Sequence, residues 1–254
     1  MGIRIACVAI LLVSIAILGD TRGLRSASGT KSQPQSRKFV PFTAQIVVQG
    51  FDNRAATKPS VVTRVSYGRR GDGSDVTLTS VHSPLGESGL LGEIVDVASG
   101  KQIELDSFTK SRMTFYLSGT EVEDILDSNG CPANVNQLTE RSRWLGYEVV
   151  RYRDVDKDSY EDDDSWLAPS LACFTMKSVE IDTRFGSCNK RTVLSLTPGE
   201  PPASMFSVPS EYVERSPAEL AARWIAMFPG SPWLPADSLE RVQRQYSSGR
   251  PGSK

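Results

Sequence analysis

Few side chains in this sequence have types and spacings that could do chemistry. His82 is the only histidine. Ser80, Ser83 and Asp75 lie close to it along the chain and complete the residue types of a hydrolase triad. A serine nucleophile also needs a positioned base and an oxyanion hole. No G-x-S-x-G elbow or similar nucleophile turn occurs, so His82 reads as a structural or exposed histidine. The acidic run D-V-D-K-D-S-Y-E-D-D-D, Asp154 to Asp164, sets carboxylates at alternate positions, as oxygen ligands for calcium would be. An EF-hand loop starting at Asp154 wants glycine where Ser159 stands and glutamate where Ser165 stands, with helices on both sides. The run reads first as a solvated loop kept open by like-charge repulsion, and second as a weak calcium site. Arg70-Gly71-Asp72 spells an adhesion tripeptide, but turn chemistry accounts for the whole of R-R-G-D-G-S. Neither a following helix nor a Lys-Ser/Thr pair makes it a phosphate loop. The sequence thus shows no acid–base pair, nucleophile elbow or metal cluster, and neither an enzymatic activity nor a cofactor is expected.

The cysteines carry the remaining chemistry. Of four, Cys7 lies in an apolar N-terminal run, leaving Cys131, Cys173 and Cys188. In an oxidising compartment one disulfide and one free thiol is the simplest arithmetic. If Phe185 to Ser187 form the turn of a hairpin, Cys173 lies far up one strand while Cys188 sits beside the turn. Their Cα atoms are then too far apart to bridge. Cys131–Cys173 is the expected pair.

The N-terminus sets the compartment. Arg4 precedes an unbroken apolar stretch from Ile5 to Leu18, spanning about 21 Å at ~1.5 Å per residue, short of the ~30 Å hydrocarbon core. That length fits the hydrophobic part of a signal peptide. Cleavage after Gly23 or Ser28 and retention of residues 5–18 as an inner-membrane anchor both stand as readings. The chain is expected to be exported, periplasmic or secreted, with membrane association through this segment. A formal net charge of −1 over 254 residues argues against a nucleic-acid partner.

The elements that must position these side chains follow from periodicity. Residues 1–23 form the signal or anchor and 24–38 a small, polar, basic linker. From Phe39 the period is two. Phe42, Ala44, Ile46 and Val48 share one face of a strand, and Val61, Thr63, Val65 and Tyr67 share one face of the next. Further strands are expected near Val76–Val81, Ile94–Val97, Gln102–Leu105, Lys110–Leu117, Arg141–Trp144, Tyr147–Arg153, Cys173–Ile181 and Arg191–Leu196. In the strand from Cys173, Phe174 and Met176 oppose Val179 and Ile181 in parity, so a bulge near Lys177 or Ser178 is expected. One helix interrupts the series, with Thr120 and Glu123 as its capping box. After Pro217 the period turns helical, with Leu220, Trp224, Ile225 and Phe228 on one stripe, and a second C-terminal helix starts near Asp237. The expected fold is mainly β (α+β), a single curved antiparallel sheet or half-barrel of about ten strands. It occupies residues 39–214, with a helical extension over 215–254.

Four motifs lie along this framework: R-x-D-G-S (Arg70, Asp72, Gly73, Ser74), L-G-Y (Leu145 to Tyr147), W-x-A-P-x-L-x-C (Trp166 to Cys173) and F-x-V-P-x-x-Y (Phe206 to Tyr212). Together with the N-terminal signal, the meander and the Met176-Lys177 pair, the layout resembles the periplasmic lipoprotein-carrier (Lol-type) half-barrel superfamily. It is also similar to a group of uncharacterised exported bacterial proteins sharing these motifs. The resemblance implies a curved sheet closed by helices around a hydrophobic concavity that in carriers holds acyl chains. It transfers no functional residue. On that reading the ligand-binding candidates are Ile46, Val65, Leu78 and Trp224, lining a cavity of about 300 Å³ or more. Two functions stand: a carrier for a lipid or other apolar ligand, and a structural or interaction module of the cell envelope that engages another envelope protein. A carrier leaves the concavity empty; an interaction module fills it.

Overall fold

The computed structural model describes residues 39–83, 85–128, 131–132, 138, 140–155 and 161–228. The expected signal segment, linker and second C-terminal helix lie outside these residues. Twelve strands form one sheet: β1 (Phe42–Phe51), β2 (Val61–Arg69), β3 (Asp75–His82), β4 (Ser88–Asp96), β5 (Lys101–Asp106), β6 (Ser111–Tyr116), β7 (Arg141–Trp144), β8 (Tyr147–Val155), β9 (Glu161–Ala168), β10 (Phe174–Asp182), β11 (Cys188–Pro198) and β12 (Val213–Glu214). Their order is β12-β6-β5-β4-β3-β2-β1-β11-β10-β9-β8-β7. All pairings are antiparallel except the two-residue contact of β12 with β6. The sheet is open, mainly antiparallel and accompanied by helices α1 (Gly119–Ser128) and α2 (Pro217–Met227).

The count is twelve strands, not about ten, because two of them do not read as strands in the sequence. β9 begins inside the acidic run, so the second half of that run is strand and not solvated loop. Arg151 and Arg153 on β8 meet Asp164 across the pair and offset the repulsion that would otherwise keep it open. β12 is too short to show a period. The capping box of α1 is also displaced: Ser118 and Glu121 form it, with Glu121 N donating to Ser118 Oγ at 3.2 Å and Ser118 N to Glu121 Oε2 at 2.7 Å. In α2 Ser216 and Glu219 cap as expected. The register of β10 on β9 slips between Thr175 and Lys177. Ser178 is nevertheless buried while Val179 and Ile181 stay half-buried, so the slip does not gather the apolar residues on one inward face.

The sheet curls tightly. Tyr67 on β2 and Phe174 on β10 stand three strand spacings apart, about 14 Å on a flat sheet, yet their rings stack with centroids 5.0 Å apart. Trp144 on β7 donates through Nε1 to Val193 O on β11 at 2.9 Å, across four spacings. The interior of the curl is filled by Phe42, Ala44, Ile46, Val65, Tyr67, Val149, Ala168, Leu171, Phe174, Met176 and Val193, with Trp144, Tyr147 and Trp166 packed against them. Backbone pairing between β10 and β11 runs only from Ile181–Cys188 to Lys177–Thr192. Beyond it, Arg191 Nη1 donates to Thr175 O at 2.8 Å, so a side chain satisfies a carbonyl where the ladder ends.

Two of the motifs are turns. In R-x-D-G-S, Arg70 N donates to Ser74 O at 2.8 Å, Asp72 Oδ1 accepts from Ser74 N at 2.8 Å, and Gly73 takes φ +92°. In W-x-A-P-x-L-x-C, Pro169–Leu171 make a short 3-10 turn. Ala172 and Cys173 then adopt φ of 53° and 59°, a conformation non-glycine residues rarely take. Cys173 N is held on Ala168 O at 2.9 Å. Cys173 is also bonded to Cys131, their Cα atoms 4.8 Å apart, while Cys188 is free and buried. Burial pushes the Cys188 thiol above its usual range. The bridge closes a 42-residue separation, which on the chain-entropy picture stabilises by about 4 kcal/mol. Replacing Cys131 and Cys173 together with serine should lower the unfolding free energy in urea by about that amount. Cys188 should resist alkylation in the native chain. A Cys173–Cys188 bridge on non-reducing peptide mapping would contradict the hairpin register.

Candidate binding site

The inner face of the sheet becomes more polar between β2 and β3, and the outer face more apolar. Ala44, Tyr67, Thr77, Glu93 and Glu104 lie opposite one another in register, so all face the interior of the curl. The interior is therefore apolar along most of β1 and β2 and mixed on β3 to β5, where Thr77, Thr79, Glu93, Gln102 and Glu104 share the face with Val81, Leu91 and Val95. By the same alternation Val76, Leu78, Ile94, Ile103 and Leu105 face outward.

Residues 199–212 cover that outward apolar surface. Gly68 lets them approach closely: a Cβ there would lie 3.2 Å from Pro201 Cβ and 3.3 Å from Met205 Cε. Arg70 sits 3.7 Å over the ring of Phe206, and Gly71 N donates to Glu200 Oε1 at 3.1 Å. The R-x-D-G-S and F-x-V-P-x-x-Y motifs thus meet, the first holding the second on the sheet. Between strap and sheet lies a cleft of about 150 Å³, lined chiefly by Leu78, Leu90, Leu105, Met205, Pro209 and Tyr212. Gly92 is its floor, where a Cβ would stand 3.0 Å from Leu78 Cδ2 and 3.2 Å from Leu105 Cβ. Leu78 and Leu105 close over Gly92, so a side chain there would displace the leucines that line the cleft. Burial raises the pKa of the Tyr212 phenol, and the Lys110 ammonium lies 5.7 Å from its ring. A cleft of this size takes a group no larger than about a benzene ring or one aliphatic side chain.

The structure does not bring the four expected ligand-binding residues together. Ile46 and Val65 are direct register partners, 2% and 5% exposed, inside the filled cluster. Leu78 lies on the opposite face and lines the cleft. Trp224 packs against Phe108 and Phe228, with centroids 5.4 and 4.9 Å away, and donates through Nε1 to Asp106 Oδ2 at 2.5 Å. Sequence reasoning does not find Gly92, Leu105, Met205 or Tyr212 as lining residues. The F-x-V-P-x-x-Y motif is the signal that points near them.

The other candidates resolve into structure. Ser80 and His82 lie near one end of β3, whereas Asp75, at its other end, accepts from Tyr67 Oη at 3.4 Å. Seven residues of strand, more than about 20 Å, separate Asp75 from His82, so no triad forms. Arg151 Nε donates to Asp164 Oδ1 at 2.6 Å, and this bond is the main reason the Asp164 carboxyl is held below its usual range. Ser165 Oγ donates to Asp163 Oδ1 at 2.9 Å. Among the described residues no three His, Cys, Asp or Glu side chains are grouped to hold a metal ion.

Asp106 is the junction of sheet and α2. It accepts from Phe108 N, Thr109 Oγ1 and Trp224 Nε1, but its burial outweighs these bonds and holds its carboxyl above the usual range. With the folded value above the unfolded one, its contribution to stability is full below the ordinary carboxylate range. It is lost as pH rises through the raised folded value. Asp106→Asn keeps an oxygen for Trp224 and removes the titration. Urea unfolding should therefore show parent stability falling relative to this variant as pH climbs across the acid range and then levelling. A gap that stays constant with pH would refute the assignment.

No family model matches the chain, and no curated protein matches it. Among solved structures it is similar to an uncharacterised conserved protein from Thermus thermophilus, at 9% identity and TM-score 0.44, covering 69% of this chain and 91% of that one. It is also similar to a chain of the Pseudomonas aeruginosa MucA/MucB complex, at 12% identity and TM-score 0.41, covering 69% and 58%. A third is a LolA superfamily protein from Nitrosomonas europaea, at 9% identity and TM-score 0.34, covering 76% and 96%. The last belongs to the superfamily that the sequence layout resembles.

Proposed function

We propose that this chain is an exported, non-enzymatic binding module of the cell envelope that engages a partner protein, and that it does not carry an acyl chain inside its curl. The observation that carries this reading is the filled apolar cluster on β1 and β2 beside the polar side chains that enter the inner face from β3. An acyl-chain cavity needs a continuous apolar concave wall with room beside it. Here the apolar half of the interior is occupied by Phe42, Phe174, Met176 and Val193, and the other half sets Thr77, Thr79, Glu93, Gln102 and Glu104 among Val81, Leu91 and Val95, with the Phe108 ring against Gly89. Among the described residues, an open apolar cleft lies on the outer face and has the size of a single side chain, which suits an anchor residue of a protein partner better than a lipid. Export rests on Arg4 and the apolar stretch Ile5–Leu18 in the sequence. The lipid-carrier reading is the rival, supported by the sequence resemblance.

Native mass spectrometry after gentle extraction separates the two. A mass equal to the bare chain, with no saturable uptake of a fluorescent fatty acid, is the expected result. A co-purifying lipid, together with fatty-acid uptake that Val193→Trp abolishes, would establish the carrier and overturn the proposal.

A further inference from the structure

Strand β11 has an open edge in the middle of the sheet. β10 leaves it after the pair Lys177–Thr192, although β11 runs on beside β1 to Pro198. Backbone groups point alternately to the two sides of a strand. Gly199 N donates to Pro41 O on the β1 side, so Thr197 and Ser195 also turn their backbone groups to β1. The N–H and C=O of Leu196 and the C=O of Pro198 therefore point to the opposite side, which β10 has left. Side chains take over where the ladder stops: Trp144 Nε1 donates to Val193 O at 2.9 Å, and Arg191 Nη1 to Thr175 O at 2.8 Å. Beyond them no strand among the described residues pairs with β11 on this side. Leu194, which the register shift leaves without a β1 partner, is 53% exposed, and Ser195, Thr197 and Pro198 are exposed as well.

The two outer edges of the sheet are built differently. β7 carries Arg141 and Arg143, both exposed. At β6 the Glu214 carboxylate accepts from Thr114 N at 2.7 Å and from Arg112 Nε at 2.9 Å. Charges on an edge, and side chains that occupy its donors, keep further strands from adding. Leu194-Ser195-Leu196-Thr197-Pro198 carries no charge.

We propose that this stretch of β11 is a docking edge for an extended, uncharged segment of a partner protein, which adds as a strand centred on Leu196. Another strand offers an acceptor and a donor at the spacing that Leu196 N–H and C=O require. The partner residue opposite Leu196 shares its face. Leu196 packs against the inner cluster, so that partner residue is apolar. The edge is separate from the outer cleft over β3 to β5, and shares with the proposed function only the expectation of a protein partner.

The test uses the full-length chain and a phage-displayed library of random seven-residue linear peptides. In the bare chain the Leu196 amide should exchange with deuterium faster than those of Ser195 and Thr197, which face β1. Selected peptides should be uncharged with apolar residues at alternate positions, and should shift the Leu196 amide resonance and slow its exchange. Leu194→Lys, at an exposed position, should weaken their binding about tenfold. N-methylation of the peptide amide that faces Leu196 should do the same, whereas N-methylation one residue along should not. Slow exchange of the Leu196 amide in the bare chain would mean that the chain covers this edge itself, and would overturn the proposal. So would a concentration-dependent dimer that Leu194→Lys dissolves, which would place a second copy there. Selection of no peptide that moves the Leu196 amide, or binding indifferent to Leu194→Lys, overturns it equally. Peptides that move the Leu78 and Leu105 methyls but not the Leu196 amide would support the outer cleft while refuting the edge.

Discussion

The guanidinium of Arg69 is the contact on which the curl depends. It belongs to β2 yet donates through Nη1 to Leu171 O in the turn between β9 and β10, and through Nε to Tyr67 Oη. Its centre lies 5.6–5.7 Å from the ring centroids of Phe39, Phe42, Tyr67 and Phe174. At 4% exposure this charge has lost most of its water, and ring faces and a carbonyl replace that hydration. Tyr67 passes the link on to Asp75; burial, with Asp75 beside it, raises the pKa of its phenol and keeps it a neutral donor. The same contact draws the second half of the chain over the first. Among the described residues nothing comparable holds β3 to β6 against that inner cluster, and there the interior changes character.

That change has a geometric cause. Side chains alternate strictly along a strand, so once a register is set every residue's face is determined. The R-x-D-G-S turn sets β3 on β2 with Asp75 opposite Arg69 and Val76 opposite Gly68. This pairing turns Val76 and Leu78 outward, where they would be exposed without residues 199–212. The strap, its prolines and the glycines beneath it are therefore consequences of the register. The cleft lies between this strap and the sheet, where Leu78 and Leu105 pack over Gly92.

Much of this is legible in the residues and some is not. The mainly β class, most strands, the α2 capping box and the turn role of R-R-G-D-G-S follow from local chemistry, which the sequence carries directly. The faces of β3 to β5 do not, because parity within a strand says nothing about parity between strands until the register is known. Leu78 and Ile46 therefore look equivalent in sequence and lie on opposite sides of the sheet. β9 is hidden by its charges: Asp163 and Asp164 read as loop until Arg151 and Arg153 are seen across the pair. Trp224 reads as a cavity wall because its helical stripe is apolar, yet its indole N–H anchors α2 on Asp106.

The central claim is that, among the described residues, the interior cluster of the curl is filled and an accessible apolar cleft lies on the outer face. Xenon enters dry apolar cavities of this size and shifts the carbon resonances of the methyl groups it touches. Under xenon pressure the methyls of Leu78, Leu90, Leu105 and Met205 should move in a saturable way, while those of Ile46, Val65, Val149 and Val193 stay fixed. Shifts concentrated on Ile46, Val65 and Val193, with the Leu78 cleft silent, would contradict it.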